Sequence, residues 1–276
     1  MITSLTTSGQ AWLADLGPRE QSALTARRHI AAETSTDVDA ICATVSPDVF
    51  FAIPVRTRAG HELRAGTVLT DAGQVRGYYA GRSGSYLVRS SQQLTSITTD
   101  WYVLNETAAT LLGTGEVNGV DATGREWVVS SVVLFPTAPD GIRGEICATR
   151  TPMDDVLLDR VVVTAGSAVA NAALLDRFSL AARAGDWDAV AAELAPGHTM
   201  AVRIDDPDDG SVVHTASPFS ALLGGGDDLT MLNRVATDWF VFAELLVRRT
   251  DGARRLALIQ PVEGGRILGT FGYGRA

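Results

Sequence analysis

The chain has 276 residues, 46% hydrophobic and 20% charged, a balance that belongs to packed globular domains rather than to disordered chain. Its formal net charge of −9 works against a polyphosphate partner, so nucleic acid is not expected to bind. All 23 basic residues are arginine, which excludes a lysine Schiff base or a phosphate-loop lysine.

No apolar run approaches the ~18 residues of a membrane span, and Met1 to Gly17 carries no basic residues ahead of an apolar core. The expectation is a cytoplasmic protein with no membrane partner. Cys42 and Cys147 lack metal-ligand spacing and read as small buried side chains in a reduced compartment.

From Pro18, a residue suited to a first helical turn, apolar residues recur at helical spacing through Ile30 and Ala31. Ser35-Thr36-Asp37 stops this helix and caps a shorter one carrying Ala40, Ile41 and Val45. Val49 to Ile53 reads as a buried strand, Arg58 to Gly60 as a turn, and Asp71 to Gly81 as a third helix. Four strands follow, at about 86–104, 108–119, 125–136 and 142–151, with turns at Asn105-Glu106, Asp121 to Gly124 and Asp140-Gly141. Helices first and a meander afterwards is an α+β order.

The order then repeats. Thr99-Asp100-Trp101-Tyr102-Val103 returns as Thr237-Asp238-Trp239-Phe240-Val241, a shift of 138 (237 − 99). Asp37 to Pro47 returns as Asp186 to Pro196, a shift of 149 (186 − 37), and Gly144 to Arg150 as Gly269 to Arg275, a shift of 125 (269 − 144). Three echoes in the same order with shrinking offsets indicate a duplicated domain whose second copy has lost loop length. The expected boundaries are domain one over 1–152, a linker over 153–166, and a shortened domain two over 167–276. The paired Trp101 and Trp239, with apolar residues on both strand faces, predict sheet-against-sheet packing of the copies as an internal pseudo-dimer, an arrangement that needs no second chain.

The segments "RHIAAETSTDVDAICATVSPDVFFAIP", "VRGYY" and "YVLNETAATLLGTGEV", with "RFSLAARAGDWDAVAAELAP" and "ATDWFVF" in the second copy, resemble the nuclear-transport-factor-2-like fold. More narrowly they resemble the SnoaL-like polyketide cyclases and ketosteroid isomerases. The resemblance implies two tandem cone-shaped α+β barrels, each a curved antiparallel sheet wrapped on helices with an apolar pocket at its mouth. The isomerases' general-base aspartate falls at Ile53, ahead of Pro54, and their oxyanion-binding aspartate nearest Ser131. Their donor tyrosine on the first helix falls at His29, and its supporting tyrosine at Tyr79. Chemistry with an aspartate base is therefore not expected, and Ile53 also counts against an epoxide hydrolase-like ring former.

His29 and Tyr79 are the candidate catalytic groups, since imidazole titrates near neutral pH and can act as acid, base or donor. The plain alternative for each is a hydrogen-bonded core residue. Phe51, Ile53, Trp101, Trp127, Ser131 and Glu145 are the candidate substrate-binding residues. Strand alternation puts Trp127, Val129, Ser131 and Val133 on one face, although sheet packing is the simpler role for the tryptophans and a surface position for Glu145. The Asp205 to Gly210 run lacks the spacing of a calcium loop, and no phosphate-cradling or metal-ligand spacing occurs, so no metal and no cofactor are expected. Phe178 stands where the first copy has His29 (178 − 29 = 149), so the working pocket is expected in copy one and a structural role for copy two.

Two functions compete. One is a cofactor-independent cyclase, isomerase or dehydratase acting on an apolar, polyketide-like intermediate of bacterial secondary metabolism. The other is a non-catalytic small-molecule-binding or scaffolding protein of the same fold. A pocket open around His29 separates them.

Overall fold

The computed structural model describes residues 16–56, 63–117, 120–150, 166–206, 210–215, 219–224, 228–249 and 252–276. The expected 58–60 turn, His61, nearly all of the expected linker and part of the acidic 205–210 run lie outside these residues.

The first half runs α1 (Pro18–Thr34), α2 (Val38–Cys42), β1 (Phe51–Arg56), β2 (Leu63–Leu69), α3 (Ala72–Ser85), β3 (Tyr86–Thr98), β4 (Tyr102–Gly113), β5 (Glu116–Val117), β6 (Val120–Asp121), β7 (Glu126–Ala138), β8 (Gly141–Ile142) and β9 (Ile146–Arg150). The second runs α4 (Ala168–Ala184), α5 (Trp187–Ala192), β10 (Leu194–Asp206), β11 (Gly210–His214), α6 (Phe219–Leu223), β12 (Asp228–Ala236), β13 (Phe240–Arg249), β14 (Gly252–Glu263) and β15 (Arg266–Arg275). Aspartate side chains cap three of the helices. Asp37 accepts from the backbone of Asp39 and Ala40, Asp71 from Gln74, and Asp186 from Ala189, satisfying N–H groups that have no partner within the helix. Gly185 closes α4 in the left-handed region, at φ 67°.

Each half builds a mixed sheet. The orders are β2-β1-β9-β7-β4-β3 and β11-β10-β15-β14-β13-β12, the same arrangement twice. In each, one neighbouring pair is parallel, β1 with β9 and β10 with β15, and the others are antiparallel. The architecture is two α+β units of one topology.

The sheets pack against each other. One buried cluster joins Phe50, Trp101, Tyr102, Leu104, Val132 and Leu134 of the first half to Trp239, Phe240, Phe242, Ile259, Phe271 and Tyr273 of the second. Its polar contacts come in exchanged pairs. Trp101 Nε1 donates to Glu244 Oε1 at 3.2 Å, and Trp239 Nε1 donates to Glu106 Oε1 at 3.0 Å. Arg275 reaches Asp100 at 2.6 Å and Arg150 reaches Asp238 at 2.5 Å. Those two guanidinium groups also lie over Trp101 and Trp239, at 5.3 and 5.9 Å from the ring centroids. Residue i touching j′ while j touches i′ is the signature of a two-fold interface, here closed within one chain.

The repeated Thr-Asp-Trp is a turn and not, as the residue types suggest, strand. Thr99 Oγ1 accepts from the backbone N–H of Trp101 at 3.3 Å and of Tyr102 at 3.1 Å, and Thr237 does the same for Trp239 and Phe240 at 3.4 and 3.1 Å. The turn expected at Asn105-Glu106 lies instead inside β4, where Glu106 is buried under Trp239.

Candidate functional site

Three segments of the first half converge on His29. In α1, Ser22, Ala26 and His29 are buried, one stripe at helical spacing. In α3, Val75 and Tyr79 form the matching stripe. The third segment leads into β9. Phe50 N–H donates to Arg143 O at 2.8 Å and Ala52 N–H to Glu145 O at 2.9 Å, stitching it to β1. The approach is close enough that a Cβ on Gly144 would lie 1.7 Å from Phe50 O, so glycine alone fits there. This stitching turns Glu145 inward, where it is 5% exposed rather than on the surface.

His29 is fully buried. Thr44 spends its hydroxyl proton on Ile41 O, 2.6 Å away, so at 2.7 Å it accepts from His29 Nδ1. His29 Nε2 faces Glu145 Oε1 at 2.8 Å. Tyr79 donates to the same oxygen at 2.5 Å and lies 3.1 Å from His29 Nε2. Burial pushes the Glu145 carboxyl up, but the hydrogen bond and charge of His29, the Arg82 charge and the Tyr79 hydroxyl together hold it below the usual carboxylate range. At 2.8 Å the two groups form a buried histidine–carboxyl pair. Burial, followed by the Glu145 and Glu33 charges, holds Tyr79 well above the ordinary phenol value, so it stays a neutral donor.

Beside this cluster lies a cavity of about 200 Å³, lined by Glu33, Thr34, Thr36, Ile41, Tyr79, Arg82, Ser83, Tyr86, Leu87 and Val88. Arg82 Nη1 pairs with Glu33 Oε1, and its guanidinium lies 6.0 and 5.9 Å from the Tyr79 and Tyr86 ring centroids. Burial and the nearby Glu145 charge raise the Glu33 carboxyl above its ordinary value, against the pull of Arg82 and His29. Sequence reasoning missed both residues, although each continues a stripe it had drawn: Glu33 is four residues past His29, and Arg82 three past Tyr79. Glu33, His29 and Glu145 also offer atoms within 4.8 Å of one another, a ligand set that no sequence spacing announced. Arg82 already pairs with Glu33, and His29 and Tyr79 already hydrogen-bond Glu145.

The other candidates fall in three places. Phe51 packs edge-on to Tyr79, with centroids 6.0 Å apart, and Ile53 joins the same apolar group. Trp127 sits with Leu111, Val117, Ala122 and Val129, its ring 6.1 Å from Tyr86, and Ser131 is half-buried farther along β7. Trp101 lies in the interface between the halves, hydrogen-bonded to Glu244, and is not brought to His29.

At the matching position of the second half, Phe178 packs edge-on to Phe219 at 5.1 Å within an apolar cluster that includes Leu174, Met200 and Leu222. Thr270 takes the place of Glu145 (270 − 145 = 125), accepting from Gln260 Nε2 at 3.1 Å and lying 3.1 Å from His198 Nε2. Burial lowers His198 to about 4, so its ring is neutral. Among the described residues no helix is long and apolar enough to cross a membrane.

No protein-family model matches the chain, and no curated protein matches it. Solved structures do. A candidate polyketide cyclase from Xanthomonas campestris pv. campestris is 17% identical, covering 48% of this chain and 91% of that one, with a TM-score of 0.38. A candidate SnoaL-like polyketide cyclase from Jannaschia sp. CCS1 is 16% identical, covering 49% and 90%, with a TM-score of 0.40. A nuclear-transport-factor-2-like protein from Burkholderia xenovorans LB400 is 12% identical, covering 48% and 90%, with a TM-score of 0.36. Each of them is similar to about half of this chain.

Proposed function

We propose that the first half is a small-molecule enzyme of the isomerase or lyase type, moving a proton on a compact carbonyl compound at the cavity beside Tyr79. One observation carries the reading. Tyr79, held neutral and hydrogen-bonded to the buried His29–Glu145 pair, lines the same cavity as an Arg–Glu pair. A phenol hydroxyl rotates freely enough to leave Glu145 for a substrate oxygen, and His29 then stabilises the carboxylate that has lost its donor. A hydrogen bond aimed at developing oxyanion charge is the part of such a site worth most, about a hundredfold in rate or more. The step is redox-neutral and asks only for proton donors and acceptors.

The cavity also bears on substrate size. At about 200 Å³ it falls below the range of roughly 300–1,000 Å³ typical of drug-sized ligands, which favours a compact ring over a multi-ring polyketide. A second reading, ligand binding without turnover, is favoured by the complete burial of His29, which does not itself line the cavity.

The test uses cyclohex-2-enone in deuterated buffer, with α-proton exchange followed by NMR, and 4-nitrophenol as an analogue of the enolate. The native protein should exchange the ketone faster than heat-denatured protein and bind the phenol. Tyr79→Phe should lose at least tenfold in rate. Phenol binding without exchange would favour the second reading, and neither would refute both.

A further inference from the structure

His29 and Glu145 form the buried pair behind Tyr79, yet neither lines the cavity, and Tyr79 is a donor that burial keeps from acting as a base. Of the described residues that do reach the cavity, Glu33 alone carries a carboxyl group. It projects from the last turn of α1, one helical turn beyond His29, its side chain 13% exposed, and faces Arg82 and Tyr79 from α3. We propose that Glu33 is the catalytic base that takes the substrate proton, with Arg82 as the fixed cation that holds Glu33 ionised before the step and faces the enolate after it. This rests on the reading of the cavity as a proton-transfer site.

The step balances as follows. A Glu33 oxygen forms a bond to the α-hydrogen as the C–H bond breaks. The C–H electron pair becomes the carbon–carbon double bond of an enolate, whose oxygen accepts the Tyr79 hydrogen bond. Glu33, now a neutral acid, returns the proton to the same carbon, giving exchange in deuterated water, or to a conjugated one, giving isomerisation. No electrons enter or leave.

Negative charge thus moves from Glu33 to the enolate while Arg82 stays where it is. Its position over the Tyr79 and Tyr86 rings suits that task, because a cation that need not reorganise stabilises both ends of the transfer. A carboxylate raised above its ordinary value by burial and by the neighbouring Glu145 charge is also a better base than a surface one. The groups facing it are His29 on its own helix, Arg82, Tyr79 and Tyr86 from α3 and the start of β3, and Glu145 ahead of β9.

The experiment compares the native protein, Glu33→Gln and Glu33→Asp. Cyclohex-2-enone exchange, 4-nitrophenol affinity and far-ultraviolet circular dichroism are measured on each. Glu33→Gln should keep its fold and bind the phenol within about threefold of the native protein, while losing at least a hundredfold in exchange. Glu33→Asp should restore part of that loss, which a merely structural role would not produce. The native rate should rise with pH along an ionisation that Glu33→Gln removes. Exchange in Glu33→Gln within threefold of native would overturn the Glu33 assignment and leave the proton-transfer reading standing. No exchange by the native protein would overturn both.

Discussion

The exchanged tryptophan–glutamate pairs should show as strong non-additivity in a double-mutant cycle. Trp239 is fully buried and its indole N–H has Glu106 as its acceptor. Glu106→Leu leaves that N–H without a partner, at a cost of about 1–3 kcal/mol. Trp239→Phe leaves the buried Glu106 carboxyl, among the described residues, with Thr95 Oγ1 as its partner, 2.9 Å away, and breaking the contact from this side also costs about 1–3 kcal/mol. Replacing both partners removes the orphaned groups together, so the double variant should be less destabilised than the sum of the singles by about 2 kcal/mol. Guanidinium chloride unfolding followed by circular dichroism reads this directly and avoids the loss of a fluorescent indole. Removing Trp101 in the mirror pair should orphan less. Glu244 keeps Arg255 Nη2 at 2.6 Å, the Tyr102 hydroxyl at 2.9 Å and the Asn233 amide. Additivity within about 0.5 kcal/mol for Glu106 and Trp239 would refute the interface as described, since the two side chains would then not be partners in solution.

Two further outcomes concern the second half. His198 has a folded-state value of about 4 against an ordinary 6.5, so the unfolded chain binds the extra proton between those limits. Stability is then full above pH 6.5 and falls as the pH drops towards 4. Between pH 7 and 5 the loss from this group is about 2 kcal/mol, and His198→Gln should flatten the native slope by that amount; parallel slopes would show that burial does not keep the ring neutral. Phe178→His places a polar ring in the apolar cluster beneath α4 and should lower the unfolding midpoint while leaving ketone exchange within twofold of native. A specific loss of exchange would mean that the second half carries the site.

The helices were legible in the sequence because their signals are local. Pro18, Asp37, Asp71 and Gly185 each do at a helix end what their side chain or backbone dictates. The strands after Gly84 were only half legible. Thr99 and Trp101 have the shapes of strand residues, but the Thr99 hydroxyl caps a turn there and the strand restarts at Tyr102. Asn105 and Glu106 have the chemistry of a turn, but a tryptophan 133 residues away makes burial of Glu106 affordable. The site divides in the same way. His29 and Tyr79 follow from helix periodicity, and the same stripes extended by one turn reach Glu33 and Arg82. Glu145 is 116 residues from His29, and no spacing in the chain announces their contact. Parallel pairing of β1 with β9, and a glycine that lets the two backbones touch, bring it about.

The two faces of the duplicated sheet have met different demands. On the face turned towards the other half, each Trp needs a Glu across the interface, each Asp needs an Arg, and each partner lies in the opposite copy. A change in either copy breaks a pair, so these positions are tied together and the echoes at 100, 101, 150, 238, 239 and 275 persist in the sequence. On the face turned towards its own helices, each copy answers only to itself. There the first half places His29 and Glu145 where the second has Phe178 and Thr270, a hydrogen-bonded polar pair against an aromatic contact and a hydroxyl. A polar pair buried in an apolar setting brings desolvation costs that a hydrocarbon core avoids. The first half bears those costs where a cavity opens beside the pair; the described second-half positions carry a phenyl ring and a hydroxyl instead. The asymmetry between the copies is therefore the reason for assigning the proposed site to the first half, and the symmetry between them accounts for the exchanged contacts between the sheets.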